Sequence, residues 1–226
     1  MITVTAFRWV PEFAQGLVRD FRVRWALEEA GLPYRSVLID PDVQGSAAYR
    51  GKQPFGQVPV LEEDGHTLFE SGAILLHVAR RSEVLLPVEE PARSRAEAWV
   101  FAALNSIEIV IQQLAEIDLF HPQEDWARQR RPAVETMVRR RLDELAARLD
   151  GRDYLEDRFT AGDLMMAAVL RILRHTEMVT AHDVLGPYLE RCLDRPAFRR
   201  AVAAQLADFG VTGASAEARP AARRAM

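Results

Sequence analysis

Every stretch of this chain that reads as a β-strand lies within its first seventy residues, and the order of strands and helices there leaves few folds open. Residues 2–7, ITVTAF, alternate branched and small side chains and read as a first strand. Leu17, Phe21, Trp25 and Ala26 then recur near one helical face from Leu17 to Ala30, and Gly31 supplies a stop. YRSVLI, 34–39, reads as a second strand. A helix between two strands makes a β-α-β unit, whose strands pair in parallel. VPVLEEDGHTLFES, 58–71, splits into two short strands around Asp64-Gly65, a strong hairpin turn. After Ser71 the stripe Ile74, Leu75, Val78, Ala79 predicts a helix. Residues 1–82 thus spell β-α-β, a connecting stretch, then β-β-α.

Beyond the linker LLPVEEPARS the pattern is helical throughout, so an all-helical domain is expected over 92–210. Its helices fall near 92–119, near 127–149 with Val134, Val138, Leu142, Leu145 and Leu149 on one face, over 161–176, and in shorter pieces to 209. Thr160 and Asp163 have the spacing of a capping box, and the apolar run after them predicts a helix through the middle of that domain. Arg139, Arg140 and Arg141 beside the apolar stripe read as a solvated flank. The last stretch, 211–226, is small and charged without periodicity and is expected to be a mobile tail. The fold class is α/β plus all-α.

The net charge of −4 argues against a general nucleic-acid binder, which needs a basic face to displace counterions. No unbroken apolar run approaches the roughly 18–20 residues that span a bilayer, and MITVTAFRW lacks the layout of a secretory leader; a cytoplasmic protein without a membrane partner is expected. The single cysteine, Cys192, rules out an internal disulfide and sits at helical spacing with Leu189 and Leu193, as a buried core residue would. His66, His77, His121, His175 and His182 are scattered without metal-ligand spacing, so no metal is expected.

Pro59 interrupts the apolar run QPFGQVPVL, where it cannot donate to a sheet ladder. Two readings fit: an ordinary turn, or a cis Val58-Pro59 bond that presents the Val58 backbone as a docking edge for an extended peptide. Glu70-Ser71 likewise reads either as a helix start or as a polar pair facing a ligand.

Taken together, RVRWALEEAGLPY (22–34), QPFGQVPVLEEDG (53–65), LFESGAILLHVA (68–79), and FTAGDLMMAAVL with YLERCLDRPAFRRA in the second half resemble the glutathione transferase superfamily in content and order. The resemblance implies a thioredoxin-like N-terminal domain followed by a helical-bundle domain. It implies that Val58 and Pro59 offer main-chain groups to the cysteinyl backbone of glutathione, a case of β-addition. By the same match Glu70 pairs with the γ-glutamyl ammonium, Ser71 and the first amides of its helix take the carboxylate, and Gln57 lies near the tripeptide. Glutathione would then be a co-substrate, a small electrophile the second substrate in an inter-domain cleft with Phe101, Asn105, Ile109 and Trp126 as wall residues, and a homodimer the assembly.

One family feature is missing. Members usually activate the glutathione sulfur with a Tyr, Ser or Cys near the first strand or helix, whereas RWVPEFAQG has none, Leu17 stands in place of the serine, Arg19 in place of a nearby cysteine, and Phe7 near the tyrosine position. Lowering a thiol pKa by about two units takes roughly 2.7 kcal/mol. A helix N-terminus supplies about 0.3–1 kcal/mol, towards ~2 when partly buried, and a hydrogen bond to a charged group about 1.5–3. Arg19, Gln15 and Trp9 are therefore the candidate sulfur-stabilising groups. The expectation is an enzyme conjugating glutathione to electrophiles in detoxification; the alternative is a non-catalytic glutathione-binding or dimeric interaction module.

Overall fold

The computed structural model describes residues 1–210, so the expected tail lies outside the described residues. The described residues form two compact units, residues 1–74 together with 196–210, and Leu75–Arg195. This division departs from the 1–82 and 92–210 boundaries of the sequence chiefly in the last helix, which packs against the first.

In the first unit β1 (Ile2–Phe7) pairs in parallel with β2 (Tyr34–Ile39) along its whole length, from Ile2 opposite Tyr34 to Phe7 opposite Ile39. On its other side β1 is antiparallel to β3 (Val60–Glu63), which forms a hairpin with β4 (His66–Phe69), giving the order β2-β1-β3-β4. The turn residues Asp64 and Gly65 both have positive φ, 49° and 82°, as the twist-matched two-residue hairpin turn requires.

Helix α1 (Asp20–Ala30) begins three residues later than Leu17, because Gly16 at φ 77° redirects the chain after a 3-10 turn at Glu12–Ala14. All residues from Asp20 to Leu27 are buried. A helix covered on every side must pair the charges it carries. Within the helix Arg24 donates to Asp20 at 2.7 Å, and helix α10 (Pro196–Asp208) supplies the remaining partners: Arg24 donates to Asp208 at 2.6 Å, and Gln205 donates to Asp20 at 2.8 Å. Phe198 closes the same contact, its ring 5.5 Å from Phe21 and 5.0 Å from Trp25. These long-range pairings are why α10 belongs with the sheet unit.

Two short helices, α2 (Pro41–Gly45) and α3 (Ala47–Arg50), fill the connecting stretch before β3. Asp40 and Ser46 cap them, accepting from the Val43 and Tyr49 amides, both at 3.1 Å. Helix α4 (Ser71–Ala79) follows β4.

In the second unit the expected helix near 92–119 is one run, Glu90–Phe120: α5 (Glu90–Ala102), π-helical turns at Ala103–Glu108, α6 (Ile109–Ala115) and further π-helical turns at Glu116–Phe120. By length and hydropathy this run is long and apolar enough to cross a bilayer, although no unbroken apolar stretch of the sequence is; 44% of its most apolar window is buried. Helix α7 (Asp125–Leu149) turns Val134, Val138, Leu142, Leu145 and Leu149 inward, and Arg139, Arg140 and Arg141 pair along its surface with Glu135 and Glu144.

Helix α8 (Ala161–Leu170) has all ten residues buried and carries the expected capping box. A Cβ on Gly162 would lie 2.5 Å from the Trp99 Cβ, so glycine is what lets α5 and α8 meet. Thr176 and the residues around it follow a 3-10 turn at Arg171–Leu173, which ends the helix earlier than the expected 176. Cys192, in α9 (Leu185–Leu193), is fully buried, and burial pushes its thiol pKa up.

Candidate functional site

The sheet register brings the sequence-derived candidates of the first unit to one end. Val60 pairs with Phe69, so the residues just before β3, Gln57, Val58 and Pro59, lie beside those just after β4, Glu70 and Ser71. Because β1 runs antiparallel to β3, with Val4 opposite Leu61 and Thr3 opposite Glu62, the loop leaving β1 emerges at this same end. That loop carries Trp9 and Gln15 and leads into Arg19, the N-cap of α1.

The Val58-Pro59 bond is cis. Val58 is buried with Ile39, Tyr49 and Val60. Among the described residues, its amide and carbonyl have no hydrogen-bond partner. The loop before it is fixed from behind. Tyr49 donates its hydroxyl to the Gln57 carbonyl at 2.7 Å, Gln44 donates to the Gly56 carbonyl at 2.7 Å, and the buried Gln53 accepts from the Phe55 amide at 2.7 Å. Gly56 has φ 64°, and a Cβ there would meet the Arg50 guanidinium at 3.1 Å. Three side chains thus hold an unpartnered backbone edge whose groups are already oriented. The Gln57 side chain is exposed.

Glu70 is in the left-handed region at φ 71°, a conformation that costs a non-glycine residue about 1–2 kcal/mol. Its carbonyl accepts from the Ile74 amide at 2.9 Å and opens α4. Its side chain is exposed, and among the described residues the carboxylate makes no hydrogen bond or ion pair. Ser71 is the first residue of α4, 5% exposed, at the helix end whose amides favour an anion. An unpaired carboxylate beside a helix N-terminus suits a ligand that carries an ammonium and a carboxylate on one carbon.

Arg22 is the residue that sequence reasoning missed. The residue is 2% exposed, and its guanidinium donates from Nη1 to Ser71 Oγ at 3.3 Å, tying α1 to the start of α4. The signal was present in RVR, two cations within an apolar helix pattern, but its meaning depends on α1 being buried all round.

The three sulfur candidates lie on the loop and helix start without a hydroxyl or thiol near them in sequence; none occurs between Thr5 and Tyr34. Trp9 is 71% exposed, and Gln15 donates to the Val10 carbonyl at 3.5 Å. The four cleft candidates belong to the second unit. Phe101, Asn105 and Ile109 are exposed along the run from α5 to α6, and Trp126, on α7, packs its ring 5.2 Å from His121. Among the described residues no three His, Cys, Asp or Glu side chains converge as metal ligands.

Residues 14–80 match the family described as glutathione S-transferase, N-terminal domain. A glutathione S-transferase of Schizosaccharomyces pombe is 39% identical over 64 residues, but the alignment covers 28% of this chain and 26% of that protein. A maleylacetoacetate isomerase of Rhizobium meliloti is 30% identical over 191 residues, covering 80% of this chain and 90% of the relative. The crystal structure of a Burkholderia graminis glutathione transferase, with two glutathione molecules bound per subunit, superimposes with a TM-score of 0.76 at 25% identity, covering 89% of this chain and 87% of the other. A sheet of order β2-β1-β3-β4 with a cis-proline before β3, an acidic-hydroxyl pair opening α4, and likeness that extends through the helical region agree: the chain belongs to the glutathione transferase superfamily, with a thioredoxin-like N-terminal part and a helical C-terminal part.

Proposed function

We propose that this protein binds glutathione at the Val58–Ser71 end of its sheet and transfers it to a small electrophile. The observation that carries the reading is the pairing of an unpartnered Val58 backbone with the unpaired Glu70 carboxylate one strand away. Val58 would bond the cysteinyl main chain, Glu70 the γ-glutamyl ammonium, Ser71 and the α4 amides the carboxylate, and Gln57 would lie near the tripeptide. Catalysis would rest on positioning and on stabilising the thiolate. Arg19, Gln15 and Trp9 are assigned to the sulfur, and Phe101, Asn105, Ile109 and Trp126 to the electrophile. A cytoplasmic homodimer acting in detoxification, with no metal, completes the proposal.

Two observations favour other readings. The lack of a hydroxyl or thiol between Thr5 and Tyr34 favours a glutathione-binding module without chemistry. The isomerase matched over 90% of its length makes isomerisation a second reaction to assay. Steady turnover of a chloro-nitroaromatic with glutathione supports conjugation if Glu70→Ala lowers it and Arg19→Met raises the pH at which it sets in. Glutathione binding without any turnover in either assay supports the module.

A further inference from the structure

We infer that Arg22 is a positioning residue for the glutathione carboxylate, acting through Ser71; this rests on the glutathione-binding reading above. A serine hydroxyl has one proton and two lone pairs, and it turns to suit its neighbours. Arg22 Nη1 donates to Ser71 Oγ at 3.3 Å, so one lone pair is engaged by a group that has no acceptor to offer in return. The hydroxyl proton must then point away from the guanidinium. Among the described residues no acceptor takes that proton.

Both side chains are held. Arg22 is 2% and Ser71 5% exposed, and Arg22 stands on a helix whose residues are buried from Asp20 to Leu27. Ser71 is the first residue of α4, after the left-handed turn at Glu70, so its hydroxyl and the first-turn amides share one helix end. With Arg22 in place Ser71 is fixed as a donor there. Without Arg22 the hydroxyl rotates, and part of the time it presents a lone pair to an incoming carboxylate. The residue therefore sets preference for a ligand with a carboxylate next to the ammonium, without touching that ligand.

The test compares glutathione with 4-aminobutyryl-cysteinyl-glycine, which lacks only the γ-glutamyl α-carboxylate. Dissociation constants for both are measured by calorimetry on the same samples of wild type, Arg22→Met, Arg22→Lys, Ser71→Ala and the Arg22→Met/Ser71→Ala pair. The ratio of the two constants does not depend on how much of a sample is folded. Wild type should prefer glutathione, and Arg22→Met should cut that preference about tenfold while affinity for the analogue changes less than about twofold. Arg22→Lys, which keeps a donor, should retain more of the preference than Arg22→Met. The double variant should lose no more than Ser71→Ala alone, since the two residues act as one unit. An unchanged ratio in Arg22→Met, or equal loss for both ligands, overturns the positioning role. Wild type that binds neither ligand overturns the glutathione reading itself, and the inference with it.

Discussion

Replacing Asp163 with alanine should be among the most damaging single changes in the helical unit. The carboxylate is fully buried at the start of α8 and is shared by four donors. One oxygen accepts from the Thr160 amide at 2.9 Å and the Thr160 hydroxyl at 3.2 Å; the other accepts from the Leu155 amide at 2.9 Å and the Tyr188 hydroxyl at 3.1 Å. Alanine removes the cap, worth about 0.5–2 kcal/mol, and strands the Leu155 amide and the Tyr188 hydroxyl, at about 1–3 kcal/mol each. Taking the lower part of each range, the loss is about 3–5 kcal/mol, a large fraction of the ~5–15 kcal/mol that holds a typical protein folded. The assay is equilibrium urea unfolding followed by far-ultraviolet circular dichroism. Tyr188→Phe removes one stranded donor, so the Asp163→Ala/Tyr188→Phe double variant should cost about 1 kcal/mol less than the sum of the single changes. Burial raises the Asp163 pKa above its ordinary 3.8, against the hydrogen bonds that lower it. The native state thus holds that proton more tightly than the unfolded chain. Only the part of the stability tied to that proton is present below the unfolded value and lost as pH rises through the native one; the four accepted bonds belong to the ionised carboxylate, so the Asp163→Ala deficit should persist at neutral pH. A deficit under about 1 kcal/mol, or strict additivity with Tyr188→Phe, would refute the account of this network.

Three further outcomes are expected. Glu156 pairs a desolvation that raises its pKa with hydrogen bonds from Arg95 and Trp99 and the charge of Arg148, which together lower it. The stability it contributes is present above its unfolded pKa and lost as pH falls through the native value, so Glu156→Gln should flatten the acid limb of a stability-against-pH curve. Cys192, whose thiol is pushed up by burial, should not react with Ellman's reagent at neutral pH until urea unfolds the chain; rapid native labelling would contradict its placement. Glu70→Ala should weaken glutathione binding by about tenfold or more in calorimetry, the scale of one hydrogen bond to a charged group, while leaving the urea midpoint close to wild type.

Local chemistry carried much of the fold in plain sight. The alternation in 2–7 and 34–39, the Asp64-Gly65 turn and the Thr160–Asp163 box each state their structure within a few residues. The caps at Asp40 and Ser46 were equally local, with Pro41 at a helix start, yet α2 and α3 are five and four residues long and too short to show a period. The extent of the run through Phe120 was less legible, since its π-helical turns shift the repeat from which a helical face is read. Least visible was what depends on partners distant in sequence. Asp20 and Arg24 look like ordinary helix charges until Gln205 and Asp208 are placed beside them. The same holds for the candidate site: Pro59, Glu70 and Ser71 could be named from their motifs, whereas Arg22 acquires a role only when the fold sets its guanidinium on Ser71, forty-nine positions away.

The Val58 main chain and the Glu70-Ser71 corner should together accept glutathione. Calorimetric titration of the wild-type protein with glutathione, accompanied by a thermal melt, tests it most directly. Saturable heat at one site per chain and a melting temperature that climbs with ligand concentration are expected. Absence of both heat and thermal shift at millimolar glutathione would contradict it.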